Sequence, residues 1–237
     1  MELYKYSGAG NDFIVLDGRT EDVSEYRQSD RICSLCSRRN GYRAADGRIG
    51  ADGLMILSPS DICDFRMEFF NPDGSSGMMC GNGGRCIVAF ADHLGIRPGS
   101  GIDAFVFEAA DGMHSAEILS REGALSTVRL RMIDVTEYHR ELGGWFVDTG
   151  TRHLVLFVPD VDDVDVETAG REYRWNPIFA PDGVNVNFVS RSDGDRAIRV
   201  RTFEKGVEAE TLACGTGITA SAVASYLESG RNACDPV

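Results

Sequence analysis

Two copies of one short pattern constrain this chain more than any other feature. Cys80-Gly81-Asn82-Gly83 and Cys214-Gly215-Thr216-Gly217 lie 134 residues apart, and each leads into a stretch with helical spacing. Gly10-Asn11-Asp12-Phe13-Ile14-Val15-Leu16 returns 140 residues later as Gly150-Thr151-Arg152-His153-Leu154-Val155-Leu156. Asp52-Gly53 returns as Asp182-Gly183, and Phe70-Asn71 as Phe203-Glu204. One echo is within reach of chance; several in the same order argue for a duplicated unit. The chain therefore reads as two halves, 1–125 and 126–237.

Short β-rich runs fall at 2–6, 13–17, 54–58, 64–70, 104–109, 114–119, 125–132, 144–148, 153–158, 184–190 and 197–204, with helical patterns at about 23–38, 82–94 and 216–229. No linker or low-complexity tract separates them, so an α+β fold is expected rather than βαβ winding. The duplication also exposes a deficit. After Cys80 the first half runs on through a helix and three candidate strands, whereas only 23 residues follow Cys214. The expectation is a second half lacking its last strands, with a core edge left open or supplied by a partner, a homodimer being one such arrangement.

Composition narrows the function classes. A chain of 237 residues, 43% hydrophobic and 26% charged, has the balance of a soluble globular protein and excludes disorder or a collagen-like repeat. A net charge of -13 works against phosphate-backbone binding, so nucleic acid is not an expected partner. No stretch approaches the roughly 20 apolar residues of a membrane span, and the start lacks the pattern of a signal peptide, so a cytoplasmic protein is expected. Seven cysteines, an odd number widely scattered, suit reduced thiols.

A glycine-rich turn entering a helix leaves backbone N–H groups free beside the positive end of the helix dipole, which makes a seat for a carboxylate or phosphate. The cysteine at its lip lies where the same field favours thiolate. Two such seats offer two cysteines to one ligand. The spacing Gly215-x-Gly217-x-x-Ala220 also fits a dinucleotide fingerprint, but Thr211-Leu212-Ala213-Cys214 is a poor preceding strand and no following strand carries a ribose-binding acid. Cys33-x-x-Cys36 lies in a helical segment without a second pair, so buried helix cysteines are expected there rather than a metal or redox site. Cys63, Cys86 and Cys234 read as small apolar fillers. His93, His114 and His139 read as surface or capping residues, whereas His153 occupies a repeat echo. Asn11, Asn71, Asn82 and Asn185 sit beside glycines or at strand ends, where they serve either turn geometry or the orientation of an amino-acid zwitterion. Charges in Glu204-Lys205-Gly206 and at Arg152 fit a solvated loop as well as a site.

Ser7-Gly8-Ala9-Gly10-Asn11-Asp12-Phe13, Gly50-Ala51-Asp52-Gly53, Phe70-Asn71-Pro72-Asp73-Gly74, Cys80-Gly81-Asn82-Gly83-Gly84-Arg85-Cys86 and Glu210-Thr211-Leu212-Ala213-Cys214-Gly215-Thr216-Gly217 together resemble the diaminopimelate epimerase family. The resemblance runs in order from about residue 3 to 228. It implies two pseudo-symmetric domains, each a mixed sheet wrapped on a central helix, and an isomerase that needs no cofactor and no metal. It further implies a small amino-acid substrate, with L,L-diaminopimelate converted to the meso isomer for lysine and cell-wall synthesis. Carried over by position, Cys80 and Cys214 are the acid/base pair, and Gly81, Asn82, Gly215 and Thr216 the carboxylate seat. Asn11, Asn71 and Asn185 fall at substrate-binding positions, with His153, Glu204 and Lys205 nearby. The family often has Asn-Pro or Ser-Pro where this chain has Thr151-Arg152, an arginine at Lys205, and in some members a glutamine at Gly53; the stretch around Asn40 to Arg48 looks inserted. These departures bear on what the distal end of a substrate meets.

Overall fold

The computed structural model describes residues 1–77, 80–99, 104–192 and 197–230. The chain divides into two compact units, Met1–Arg131 and Met132–Val237. No helix among the described residues is long and apolar enough to cross a membrane.

In the first unit, β1 (Tyr4–Gly8), β2 (Asn11–Asp17), β3 (Gly53–Ser58) and β4 (Phe65–Phe70) form one continuous sheet with β5 (Phe105–Ala109), β6 (Gly112–Glu122) and β7 (Leu125–Leu130), neighbours following chain order. Only β2–β3 and β4–β5 are parallel. Between β2 and β3 lies α1 (Ser29–Cys36), and between β4 and β5 lies α2 (Gly81–His93). Strand alternation divides the core. Ile14, Leu16, Leu54 and Ile56 turn toward Ile32 and Leu35 of α1, while Phe13, Val15, Met55 and Leu57 turn toward Ile87, Val88 and Phe90 of α2. Because α2 meets β1, β2 and β3 as well as β6 and β7, the sheet curls around it.

The second unit repeats this plan. Its sheet runs β13-β12-β11-β10-β9-β8, with β8 (Glu137–Glu141), β9 (Gly144–Asp148), β10 (Arg152–Phe157), β11 (Asn185–Ser192), β12 (Ala197–Glu204) and β13 (Ala209–Thr211). β10–β11 is parallel and crossed by α3 (Val166–Arg174), as β2–β3 is by α1. Leu154, Val186, Phe188 and Phe203 pack with Val166 on the α3 face, and Val147, Val155 and Val189 pack with Ala220 and Ala224 of α4 (Gly215–Glu228) on the other. Among the described residues no strand follows α4.

Several sequence expectations change. The helix read over 23–38 is a 3-10 turn, Ser24–Arg27, and then α1, because Gln28 adopts an extended backbone between them. The sequence reading missed β8, a polar strand at the sheet edge, and α3, whose central Gly170 looks like a breaker. That glycine is required: a Cβ there would lie 2.4 Å from the Cβ of Phe203. Asp165 caps α3 by accepting from Thr168 N at 3.1 Å. The Asp-Gly echo is out of step by two residues, since Phe13 pairs with Gly53 but His153 pairs with Asn185. Asn185, not Gly183, therefore takes the place of Gly53. His114 is buried, stacked on Phe107 and bonded to Asp111 at 2.9 Å, so it is neither a surface nor a capping residue. Cys33 is exposed and only Cys36 of that pair is buried. Cys234 lies outside the described residues.

Candidate active site

Cys80 occupies the N-cap of α2 with an extended backbone, φ -106° and ψ 127°, and Gly81, Asn82 and Gly83 form the first turn. That turn is inside the unit: all three residues are buried. Gly8 of β1 is what admits it, since a Cβ there would lie 2.9 Å from Cys86 Sγ and 3.2 Å from the Asn82 carbonyl. Asn82 Nδ2 donates to Asn11 Oδ1 at 2.8 Å, Asn11 Nδ2 donates to Asp52 Oδ2 at 3.2 Å, and the Arg85 guanidinium donates to Asn82 Oδ1. Asn71 stands apart from this chain of bonds. It lies in the turn after β4, where its N and Nδ2 donate to Ser75 at 2.9 and 3.0 Å.

Behind Asn11 is a concentrated set of charges. Lys5 Nζ lies 2.7 Å from Asp12 Oδ2, and Arg38 bridges Asp12 and Asp52. Burial opposes ionisation of Asp12, but Arg38 and Lys5 together hold its carboxyl well below the usual carboxylate range.

Cys214 occupies the N-cap of α4 in the same way, φ -116° and ψ 107°. Its Sγ accepts from Gly217 N at 3.4 Å and lies 3.4 Å from Thr216 Oγ1. Beneath this turn are three polar residues, His153, Asn187 and Thr202, all buried. Asn187 Nδ2 faces the Leu154 carbonyl at 3.3 Å, an atom that can only accept, which fixes the orientation of the amide. The same Nδ2 donates to His153 Nδ1 at 3.0 Å, and Asn187 Oδ1 accepts from Thr202 Oγ1 at 2.9 Å. With Nδ1 accepting, the imidazole proton resides on Nε2 and donates to Thr151 Oγ1 at 2.9 Å. Burial pushes His153 down to about 3, so it is neutral at ordinary pH.

Asn185 joins two loops: its Oδ1 accepts from Lys205 N at 2.8 Å and its Nδ2 donates to the Arg152 carbonyl at 3.1 Å. The Lys205 side chain is exposed. Glu204 Oε2 accepts from Thr211 Oγ1 at 2.8 Å, and burial raises its pKa against that bond. Thus the first unit brings Asn11 to Asn82 in the turn that follows Cys80, and the second sets Thr216 at Cys214 and Asn185 at Lys205. Burial pushes the Cys36 and Cys86 thiols up to about 12, so both are protonated at ordinary pH. Sequence reasoning missed Asn187, Thr202, Asp52 and Arg38 as parts of these arrangements. Asn185 and Asn187 at period two, set among Val184, Val186, Phe188 and Val189, were the available signal.

The sequence profile of diaminopimelate epimerase matches residues 3–123 and 145–237. The chain belongs to the diaminopimelate epimerase family. A diaminopimelate epimerase of Chlorobaculum tepidum is 45% identical over 225 residues, covering 93% of this chain and 81% of the relative, and that of Aquifex aeolicus is 40% identical over 242 residues, covering 96% and 82%. Among solved structures, a PhzF-family phenazine biosynthesis protein of Bacillus anthracis matches with a TM-score of 0.68 at 14% identity, over 95% of this chain and 80% of that one. A hydroxyproline epimerase of Agrobacterium vitis matches with 0.64 at 18%, over 97% and 77%. At those identities the likeness is one of fold, and it bears out the two-domain α+β architecture of the family.

Proposed function

We propose that this member of the diaminopimelate epimerase family interconverts L,L- and meso-diaminopimelate without cofactor or metal, with Cys80 and Cys214 as its two acid/base groups. The observation that carries the reading is the doubled cysteine N-cap, one at the head of each glycine-opened helix. Inversion at a carbon needs a base on one face and an acid on the other. One thiolate removes the α-proton, the other thiol returns a proton to the opposite face, and each sulfur ends in the other's starting state. A free thiol pKa of about 8.5 is near enough to neutrality for a helix start to bring it into use.

The harder requirement is to hold the charge that develops on the substrate carboxylate. One helix dipole contributes about 0.3–1 kcal/mol, or about 2 when partly buried. Preorganised donors in a dry site contribute roughly 2.7–4 kcal/mol each. The N–H groups of the turns at Gly81-Asn82 and Gly215-Thr216 therefore carry more of the catalysis than the dipoles. Asn11, Asn71, Asn185, His153, Glu204 and Lys205 complete the substrate-binding set. The setting is the cytoplasm, and the assembly a homodimer.

Thr151, Arg152 and Lys205 favour a second reading, in which the same chemistry acts on another amino acid with a different distal group. Incubation in deuterated water tests both. L,L-diaminopimelate is expected to gain deuterium at the inverted carbon; no uptake from it, with uptake by a different amino acid in a substrate panel, selects the second reading. Uptake from none removes both.

A further inference from the structure

In each unit one arginine at the end of the crossover helix grips the segments that carry the candidate substrate-binding amides. Arg38 follows α1 by two residues. Its Nη1 donates to Asp12 Oδ2 at 3.0 Å, and its Nη2 donates to both Asp12 Oδ1 and Asp52 Oδ1. Asp52, with its first oxygen so held, offers Oδ2 to Asn11 Nδ2 at 3.2 Å and to Asp12 N at 3.0 Å. Asn11 in turn receives Asn82 Nδ2 at 2.8 Å. An unbroken run of bonds therefore leads from Arg38 through Asp52 and Asn11 to the first turn of α2.

Arg174 is the last residue of α3 and, unlike Arg38, is buried. Its Nε and Nη2 donate to Glu208 Oε1 at 3.1 and 3.0 Å, and its Nη1 donates to the Asp182 carbonyl at 3.2 Å. Glu208, in the left-handed region at φ 58°, also accepts from Gly206 N at 3.1 Å. This fixes the turn between Glu204 and Glu208, and the Lys205 N in that turn donates to Asn185 Oδ1. The guanidinium fits against Gly183 so closely that a Cβ there would lie 1.5 Å from Arg174 Nη1. It also lies over the Trp175 ring at 4.1 Å.

Each arginine thus ties the chain entering the second parallel strand, at Asp52 or Asp182, to a second segment: the Asn11-Asp12 start of β2 in the first unit, and in the second the Glu204–Glu208 turn whose Lys205 N meets Asn185. We propose that Arg38 and Arg174 are duplicated positioning residues, one per half, which set Asn11–Asn82 and Asn185–Lys205 for substrate without touching it. Their planar forks hold two acceptors at fixed angles, which the point charge of a lysine does not. The proposal rests on the epimerase reading for its kinetic consequence only.

Arg38→Lys and Arg174→Lys keep the charge and remove the fork, so both are expected to fold with the wild-type melting temperature nearly retained. Each is expected to lose about 10- to 100-fold in kcat, the scale of a small misplacement of binding groups. The decisive arm is a double-mutant cycle: Arg38→Lys in an Asn11→Ala background is expected to cost less than about twofold further, because its effect passes through Asn11. Arg174→Lys combined with Asn185→Ala is expected to behave likewise. Losses that multiply, or kcat within about twofold of wild type in the single lysine variants, overturn the proposal. The pH dependence of iodoacetamide alkylation, followed thiol by thiol by mass spectrometry, supplies a readout independent of turnover. Arg38→Lys is expected to shift the profile of Cys80 and not Cys214, and Arg174→Lys the reverse; identical profiles in both variants overturn it. A wild-type protein that takes up no deuterium from any amino acid, yet shows these selective shifts, sinks the epimerase reading and leaves the arginines' role standing.

Discussion

In the sheet that packs on α2, Phe13, Met55 and Phe69 hold the register positions that His153, Asn187 and Thr202 hold in the sheet that packs on α4. The ladders set the equivalence, since Met55 pairs with Phe69 as Asn187 pairs with Thr202. Phe13 and Phe69 meet edge to face with centroids 6.0 Å apart, whereas His153, Asn187 and Thr202 are joined by hydrogen bonds. One duplicated backbone therefore accepts either an oily layer or a fully bonded polar one at the same place. The polar layer has a directional consequence that the oily one lacks: it sets the imidazole tautomer and so the polarity of Thr151.

The largest expected effect tests whether the two halves are equal in chemistry despite this difference. Cys80→Ser and Cys214→Ser are each expected to lower epimerisation by at least about 100- to 10,000-fold, the range of a lost acid or base, while circular dichroism stays native. Retained turnover in either variant would mean that one half suffices.

Substitutions at the glycines come next. A Cβ on Gly217 would lie 2.3 Å from Asn187 Oδ1, an atom held by Thr202 with its amide held by His153 and Leu154, so neither partner can retreat cheaply. On Gly83 the equivalent Cβ meets the flexible ends of Met55 and Met67 at 3.2 and 3.3 Å. Gly217→Ala is expected to cost about 3 kcal/mol in urea unfolding and Gly83→Ala less than about 1 kcal/mol. Equal costs would erase the distinction between the layers.

Asn187→Met, which writes the first unit's residue into the second, leaves His153 and Thr202 without their buried partner. About 1–3 kcal/mol is expected to be lost. Titration gives the smallest effect and separates the halves by pH. His153 is depressed from 6.5 to about 3, so the unfolded second unit binds an extra proton between those values; its stability is complete above 6.5 and falls as pH drops below it. Asp12 in the first unit is lowered from 3.8, so the stability it contributes holds until pH falls through the ordinary carboxylate range. Both tryptophans, Trp145 and Trp175, belong to the second unit. Their fluorescence is therefore expected to show thermal unfolding moving to lower temperature from pH 7 to 5, and His153→Gln to flatten that slope.

What was legible in the sequence was the repeat and its punctuation. Cys-Gly-x-Gly located both helix starts because glycine and a small N-cap are local requirements, and apolar alternation located most strands. Elements decided by a distant neighbour were not legible. Gly170 sits in a helix because Phe203 needs the space, and Asn185 replaces Gly53 through a register that only strand pairing reveals. The roles of Arg38 and Arg174 escaped for the same reason: an arginine after a helix is ordinary until the acceptors it holds are known.

Gly83 and Gly217 stand at matching places in the two motifs, yet only the second is compelled by what lies under it. Both copies have the glycine and one alone has the amide beneath it, so the place of the missing methyl group borders yielding thioether ends in the first turn and a fixed oxygen in the second. The residue at 217 therefore has no freedom to change while Asn187 stays beneath it, and neither turn can be transplanted onto the other sheet without the side chains it rests on.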